Sequence, residues 1–117
     1  MKISDSEMEI MSILWNEGKA MTSSNIMEKL STSWKTTTIL TFLKRLECKG
    51  ILSISRENRV NYYQAKVSRE EYLHEQTTEF VSSMHEGSVS NFLAALYSDK
   101  KPTEKELEEI KEWFENL

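Results

Sequence analysis

The segment from Lys35 to Lys49 constrains this chain more than any other, because it reads as an amphipathic helix with two dissimilar faces followed at once by a short basic hairpin. On one side Ile39, Phe42, Leu43 and Leu46 recur at i, i+3, i+4 and i+7, the stripe of a helix packed on a core. On the other, Thr37, Leu40, Thr41 and Lys44 repeat that spacing, flanked by Thr38 and Arg45. Gly50 stands where a left-handed cap ends such a helix, so the pattern predicts a helix over 36–49. Beyond it, Ile51-Leu52-Ser53-Ile54-Ser55 and Val60-Asn61-Tyr62-Tyr63-Gln64 are rich in β-branched and aromatic residues. The polar turn Arg56-Glu57-Asn58-Arg59 between them predicts a hairpin.

The rest of the chain reads as helix. Three Gly and one Pro leave few breakers, which disfavours a many-stranded sandwich or barrel. Ser4-Asp5-Ser6-Glu7 has the form of a capping box, and Met8, Met11, Leu14 and Trp15 follow at helical spacing to the stop at Gly18, giving a helix over 5–17. Residues 20–22 suit either a connector or a single strand pairing. Thr22 to Asn25 offer caps for a second helix, 23–31, carrying Ile26, Met27 and Leu30. Ser68-Arg69-Glu70-Glu71 opens a helix with Tyr72, Leu73, Phe80, Val81 and Met84, running to about His85-Glu86-Gly87. A short helix over 88–97 carries Val89, Phe92, Leu93 and Leu96. Thr103-Glu104-Lys105-Glu106 opens a last helix with Leu107, Ile110, Phe114 and Leu117 on one face.

These elements imply a mostly α chain with a small β-hairpin wing: a winged helix-turn-helix domain over 1–67 and a helical region over 68–117. About 65 residues make a small core, and three amphipathic helices do not make a second globule alone, so the helical region is expected to bury its stripe against a second copy. Tyr72, Phe80, Met84, Phe92, Leu96, Leu107, Ile110 and Phe114 are the candidate residues of that homodimer interface.

Charge is distributed unevenly. The formal net charge is -4, yet residues 1–66 hold 10 Lys/Arg against 7 Asp/Glu, residues 67–117 hold 5 against 12, and the segment 29–66 holds 8 against 2. That local excess suits a phosphate-facing surface. Lys35, Thr36, Thr37, Thr38, Leu40, Thr41, Lys44 and Arg45 are therefore candidate DNA contacts on the helix, with Arg56 and Arg59 on the wing. Threonine hydroxyls can serve base edges or phosphates, and an exposed Leu40 can touch a thymine methyl. A merely solvated helix face and an ordinary solubilised hairpin are the plainer alternatives, and a winged-helix module used only for protein contacts is the functional one.

Nothing here calls for catalysis. His74 falls in an acidic helix, His85 at a helix end, and the Asp/Glu residues of the second half are spaced as solvated faces, so no enzyme is expected. The one cysteine, Cys48, cannot form an internal disulfide and is expected to fill space in the core. One cysteine and two histidines supply a poor ligand set, and neither a metal nor a cofactor is expected. The chain lacks an apolar run of membrane-spanning length and turns polar at once after Met1, so a cytoplasmic location without membrane insertion is expected.

The order of elements and particular residues resemble the penicillinase repressor family. The likeness runs through the Glu7–Trp15 helix, Trp34-Lys35-Thr36-Thr37-Thr38-Ile39, Leu43-Lys44-Arg45-Leu46, Lys49-Gly50, the Tyr62-Tyr63 strand and the acidic Glu106-Leu107-Glu108-Glu109 helix. It implies a homodimeric repressor of a palindromic double-stranded DNA operator, with the C-terminal helices as dimerisation arm. The family's groove-reading positions fall on Thr37, Thr38, Leu40 and Thr41; where relatives commonly carry Lys and Arg, this chain has Thr37 and Leu40. The resemblance also implies release by a stress or β-lactam-type signal, through a membrane-bound sensor and proteolysis of the arm. Counting back from Glu106-Leu107 places that bond at Ala95-Leu96, while the family's Asn-Phe pair occurs here one turn earlier, at Asn91-Phe92. The cysteine pair of copper-responsive relatives has no counterpart before Glu115-Asn116-Leu117, which points away from copper sensing.

Overall fold

The structure, a computed structural model, describes residues 2–99 and 102–116. They form two compact units, Met1–Gln76 and Thr77–Leu117. Leu117, expected on the face of the last helix, lies outside the described residues.

The first unit begins with α1, Asp5–Glu17, closed at its start by the expected capping box: the Glu7 N–H donates to Ser4 Oγ while the Ser4 N–H donates to the Glu7 carboxylate. Gly18 ends it in the left-handed conformation, φ 66°. α2, Ser23–Lys29, is two residues shorter than the expected 23–31. The reason is a contact with α1: Leu30 turns extended, and the Ser31 and Thr32 hydroxyls donate to Glu9 Oε1 instead of continuing the helix. α3, Thr36–Cys48, follows, and Gly50 at φ 78° turns the chain into the hairpin.

β1, Leu52–Glu57, pairs antiparallel with β2, Val60–Ala65, from Leu52 opposite Ala65 to Glu57 opposite Val60. Between 20–22 and the hairpin, the strand-pairing alternative holds: Met21 exchanges two backbone bonds with Tyr63, of 2.9 and 2.7 Å. The core beneath is one cluster. Ile10, Met11 and Leu14 of α1 meet Ile26 of α2, Ile39, Leu43 and Leu46 of α3, and Leu52 and Tyr63 of the hairpin. Phe42, expected in that stripe, is only half-buried and meets Trp34 edge-on at 5.3 Å.

α4, Arg69–Met84, starts in the first unit and continues into the second, which also holds α5, Val89–Asp99, and α6, Glu104–Glu115. α6 carries a complete capping box at Thr103 and Glu106. Among the described residues of this second unit none is buried. Phe80, His85 and Phe92 pack edge-on around the turn from α4 to α5, and an apolar groove of about 660 Å³ runs between α5 and α6, lined by Leu93, Leu96, Tyr97, Leu107 and Ile110.

Candidate nucleic-acid interface

α3 offers its outer face to solvent because its inner face is used. Ile39, Leu43 and Leu46 are sealed in the core, and a 3.6-residue repeat turns Thr37, Leu40, Thr41 and Lys44 the other way, all exposed. Thr36 and Lys35 are exposed at its start; Thr38 is half-buried. Arg45 is exposed with its guanidinium 6.0 Å over the Phe42 ring. Along this face runs an open groove of about 660 Å³ lined by Leu40, Thr41, Lys44, Arg45, Cys48 and Lys49.

Cys48 is therefore not the core residue expected from its type: it is exposed. Its position carried the signal, since Cys48 continues the outer stripe one turn beyond Lys44.

Three of the eight basic residues in 29–66 already have carboxylate partners. Lys29 meets Glu17 at 2.7 Å, Lys44 meets Glu47 at 2.6 Å, and Lys49 meets Glu7 at 2.6 Å. The Glu47 carboxylate raises the Lys44 pKa. Glu7 is different in kind, a carboxylate only 2% exposed. Burial alone would raise its pKa, but the Lys49 ammonium and the Ser4 hydrogen bonds outweigh that and hold it below its ordinary value. Sequence spacing gives no hint of this pair, whose members lie 42 residues apart. The other five of the eight, Lys35, Arg45, Arg56, Arg59 and Lys66, have no such pair among the described residues.

The wing differs from the expected four-residue turn. Arg56 and Glu57 belong to β1, and the turn is only Asn58-Arg59, both at positive φ, 49° and 67°. This is the hand of turn that matches strand twist in a two-residue hairpin. Arg59 thus stands at the tip, and Arg56 lies on the strand, where its guanidinium donates to the Asn61 side chain at 3.1 Å. Both arginines are exposed.

The candidate arm residues divide. Tyr72 is withdrawn from any surface: it is 4% exposed within the first unit, its hydroxyl accepts from the Ile3 N–H at 3.0 Å, and its ring lies 5.8 Å from Trp15. The first turn of α4 completes the core instead of an interface. Phe80, Met84, Leu96, Leu107, Ile110 and Phe114 are all exposed, between 44% and 67%. Phe92 is half-buried against Phe80 and His85. Asn91 is exposed and bonded to Ser88 and, at 2.5 Å, to the His85 ring; Ala95 and Leu96, one turn on, are exposed as well, and both pairs lie inside α5.

With this arrangement in view, the comparisons with known proteins decide the family. The sequence pattern of the penicillinase repressor family matches residues 3–116. The chain belongs to the penicillinase repressor family. It is 28% identical over 110 residues to the penicillinase repressor of Bacillus licheniformis, covering 93% of this chain and 86% of that protein. It is also similar to the solution structure of the DNA-binding domain of the repressor BlaI, with 33% identity and a TM-score of 0.53 over 61% of this chain and 88% of that one. A second solution structure, Bacillus licheniformis BlaI in monomeric form with the blaP half-operator, matches at 31% identity and a TM-score of 0.52 over 62% and 89%. The winged-helix fold read from the sequence is therefore the fold of this family's DNA-binding domain. Among the described residues no helix is long and apolar enough to cross a membrane.

Proposed function

We propose that this chain represses transcription as a homodimer on a two-fold DNA operator. The α3 outer face enters the major groove, and Arg56 and Arg59 of the wing reach the flanking backbone. What carries the reading is the exposed Thr37/Leu40/Thr41 face of α3 beside an arginine-tipped hairpin. It is supported by the BlaI relative, whose solution structure contains a half-operator. Lys35, Thr36, Thr38, Lys44 and Arg45 supply the remaining contacts, and two copies would set their helices about one helical turn, or a multiple of it, apart.

The test is a salt titration of binding to a duplex selected from a randomised pool, followed by fluorescence anisotropy. A DNA interface makes affinity fall steeply with salt, with a log–log slope of about -0.9 per phosphate neutralised. An interface made for protein responds weakly. Absence of duplex affinity at low salt would overturn the repressor reading in favour of a protein-interaction module.

Release belongs to the arm. In this reading a membrane-bound sensor protease, acting on a stress or β-lactam-type signal, cuts within α5 at Ala95-Leu96. Leu96 is exposed where Phe92 is half-buried against Phe80 and His85, which favours this bond over Asn91-Phe92. Incubation with the sensor protease and mass measurement of the fragments separates the two bonds, and an uncut chain sinks the proteolytic step.

A further inference from the structure

Resting on the proposal that α3 enters a major groove, we infer that it reads its duplex through thymine 5-methyl groups, with Leu40 and the methyl of Thr41 as the specificity-determining contacts.

The outer face has less polar capacity than its residue types suggest. The Thr41 hydroxyl donates to the Thr37 carbonyl at 2.9 Å, so its donor is used within its own helix and the methyl is the apolar part of this exposed side chain. The Lys44 ammonium is held by Glu47 at 2.6 Å. Leu40, 41% exposed, stands next to Thr41 and one turn before Lys44, and lines the groove with both. A single exposed leucine on a protein surface is ordinary. One beside a threonine whose hydroxyl donor is used within its own helix, in a groove that Lys44, Arg45 and Lys49 also line, is an apolar reader inside a cationic frame. The frame selects a polyanion, and the apolar centre selects among base pairs. Thymine alone of the four DNA bases offers a methyl group in the major groove, so the favoured sequence carries A·T pairs opposite Leu40 and Thr41.

The experiment takes the tightest-binding duplex from a randomised pool and remakes it with deoxyuridine at each thymine in turn, which removes only the methyl group. For the full-length protein, affinity falls about fourfold at each contacted thymine, the worth of one buried methyl, and is unchanged elsewhere. Leu40→Ala, at an exposed helix position where alanine favours the fold, abolishes the difference between thymine and uracil at its site, and far-ultraviolet circular dichroism verifies that the variant is folded. Thr41→Ser abolishes it at the neighbouring site, while Thr41→Val retains it. Equal binding of all the thymine and uracil duplexes, with affinity still steep in salt, overturns methyl reading and leaves DNA binding intact. An equal loss on both duplexes with Leu40→Ala, the wild-type difference persisting, also overturns it. Failure to bind any duplex removes the underlying repressor proposal as well.

Discussion

Glu7 ties the start of α1 to the residue after α3, since its Oε1 accepts from the Ser4 N–H at 2.8 Å and from Lys49 Nζ at 2.6 Å. One carboxylate thereby caps α1 and anchors the residue that follows α3, so α3 is fixed at its C-terminal end by charge and along its length by Leu43 and Leu46. Removing the charge while keeping the shape, Glu7→Gln, should lower stability by about 1.5–3 kcal/mol at neutral pH, the range for a hydrogen bond to a charged group. Because the folded carboxyl titrates below its ordinary value, its contribution is present above the ordinary carboxylate range and disappears as pH falls through the folded pKa. Urea midpoints of the two proteins should therefore differ at pH 7 and converge in acid. A gap that stays constant with pH would mean that the carboxylate charge is not what stabilises the fold.

The hairpin puts an arginine at its tip at the expense of backbone comfort. A two-residue turn of this hand asks for residues that tolerate positive φ; Asn58 does, but Arg59 at 67° pays the usual penalty of a side chain in the left-handed region. Arg59→Gly should accordingly raise the unfolding free energy by about 1 kcal/mol. It should also weaken DNA binding and reduce the magnitude of the salt slope by about 0.9, as expected for the loss of one phosphate contact. A variant that gains stability and binds DNA with an unchanged slope would move the wing off the backbone. The same turn marks the border of what the sequence made legible. Local signals located α1 to its ends through Ser4, Glu7 and Gly18, and the apolar stripe of α3 through Ile39, Leu43 and Leu46, because caps and periodicity act between near neighbours. The extension of β1 through Arg56 and Glu57, the end of α2 at Lys29 and the engagement of Lys49 depend on partners distant in sequence or on a conformation that Arg does not advertise. Residue type misled at Cys48 and Tyr72: the first follows the exposed stripe of α3, and the second is claimed by α1, whose Trp15 it meets.

At the scale of the molecule, the two units stand in opposite positions with respect to their apolar groups. Among its described residues the first buries thirteen hydrophobic ones in a single cluster, which suffices for a small winged-helix domain. The second leaves Phe80, Met84, Leu96, Leu107, Ile110 and Phe114 substantially exposed, more apolar surface than an isolated chain of that size keeps in water without cost. A symmetric partner presenting the same surface is the economical cover, and it would give the repressor two α3 helices for one operator. The double variant Ile110→Asp with Phe114→Asp places two carboxylates in that face, at residues 44% and 53% exposed, so folding of the first unit is untouched. Sedimentation should then report a monomer where the wild type sediments as a dimer. Operator affinity should fall by about two orders of magnitude or more, because the second half-site loses its intramolecular advantage. Affinity for a single half-site should not change, since each α3 and wing remain as they were. A double variant that still sediments as a dimer would remove α6 from the interface and shift the search to the exposed faces of α4 and α5.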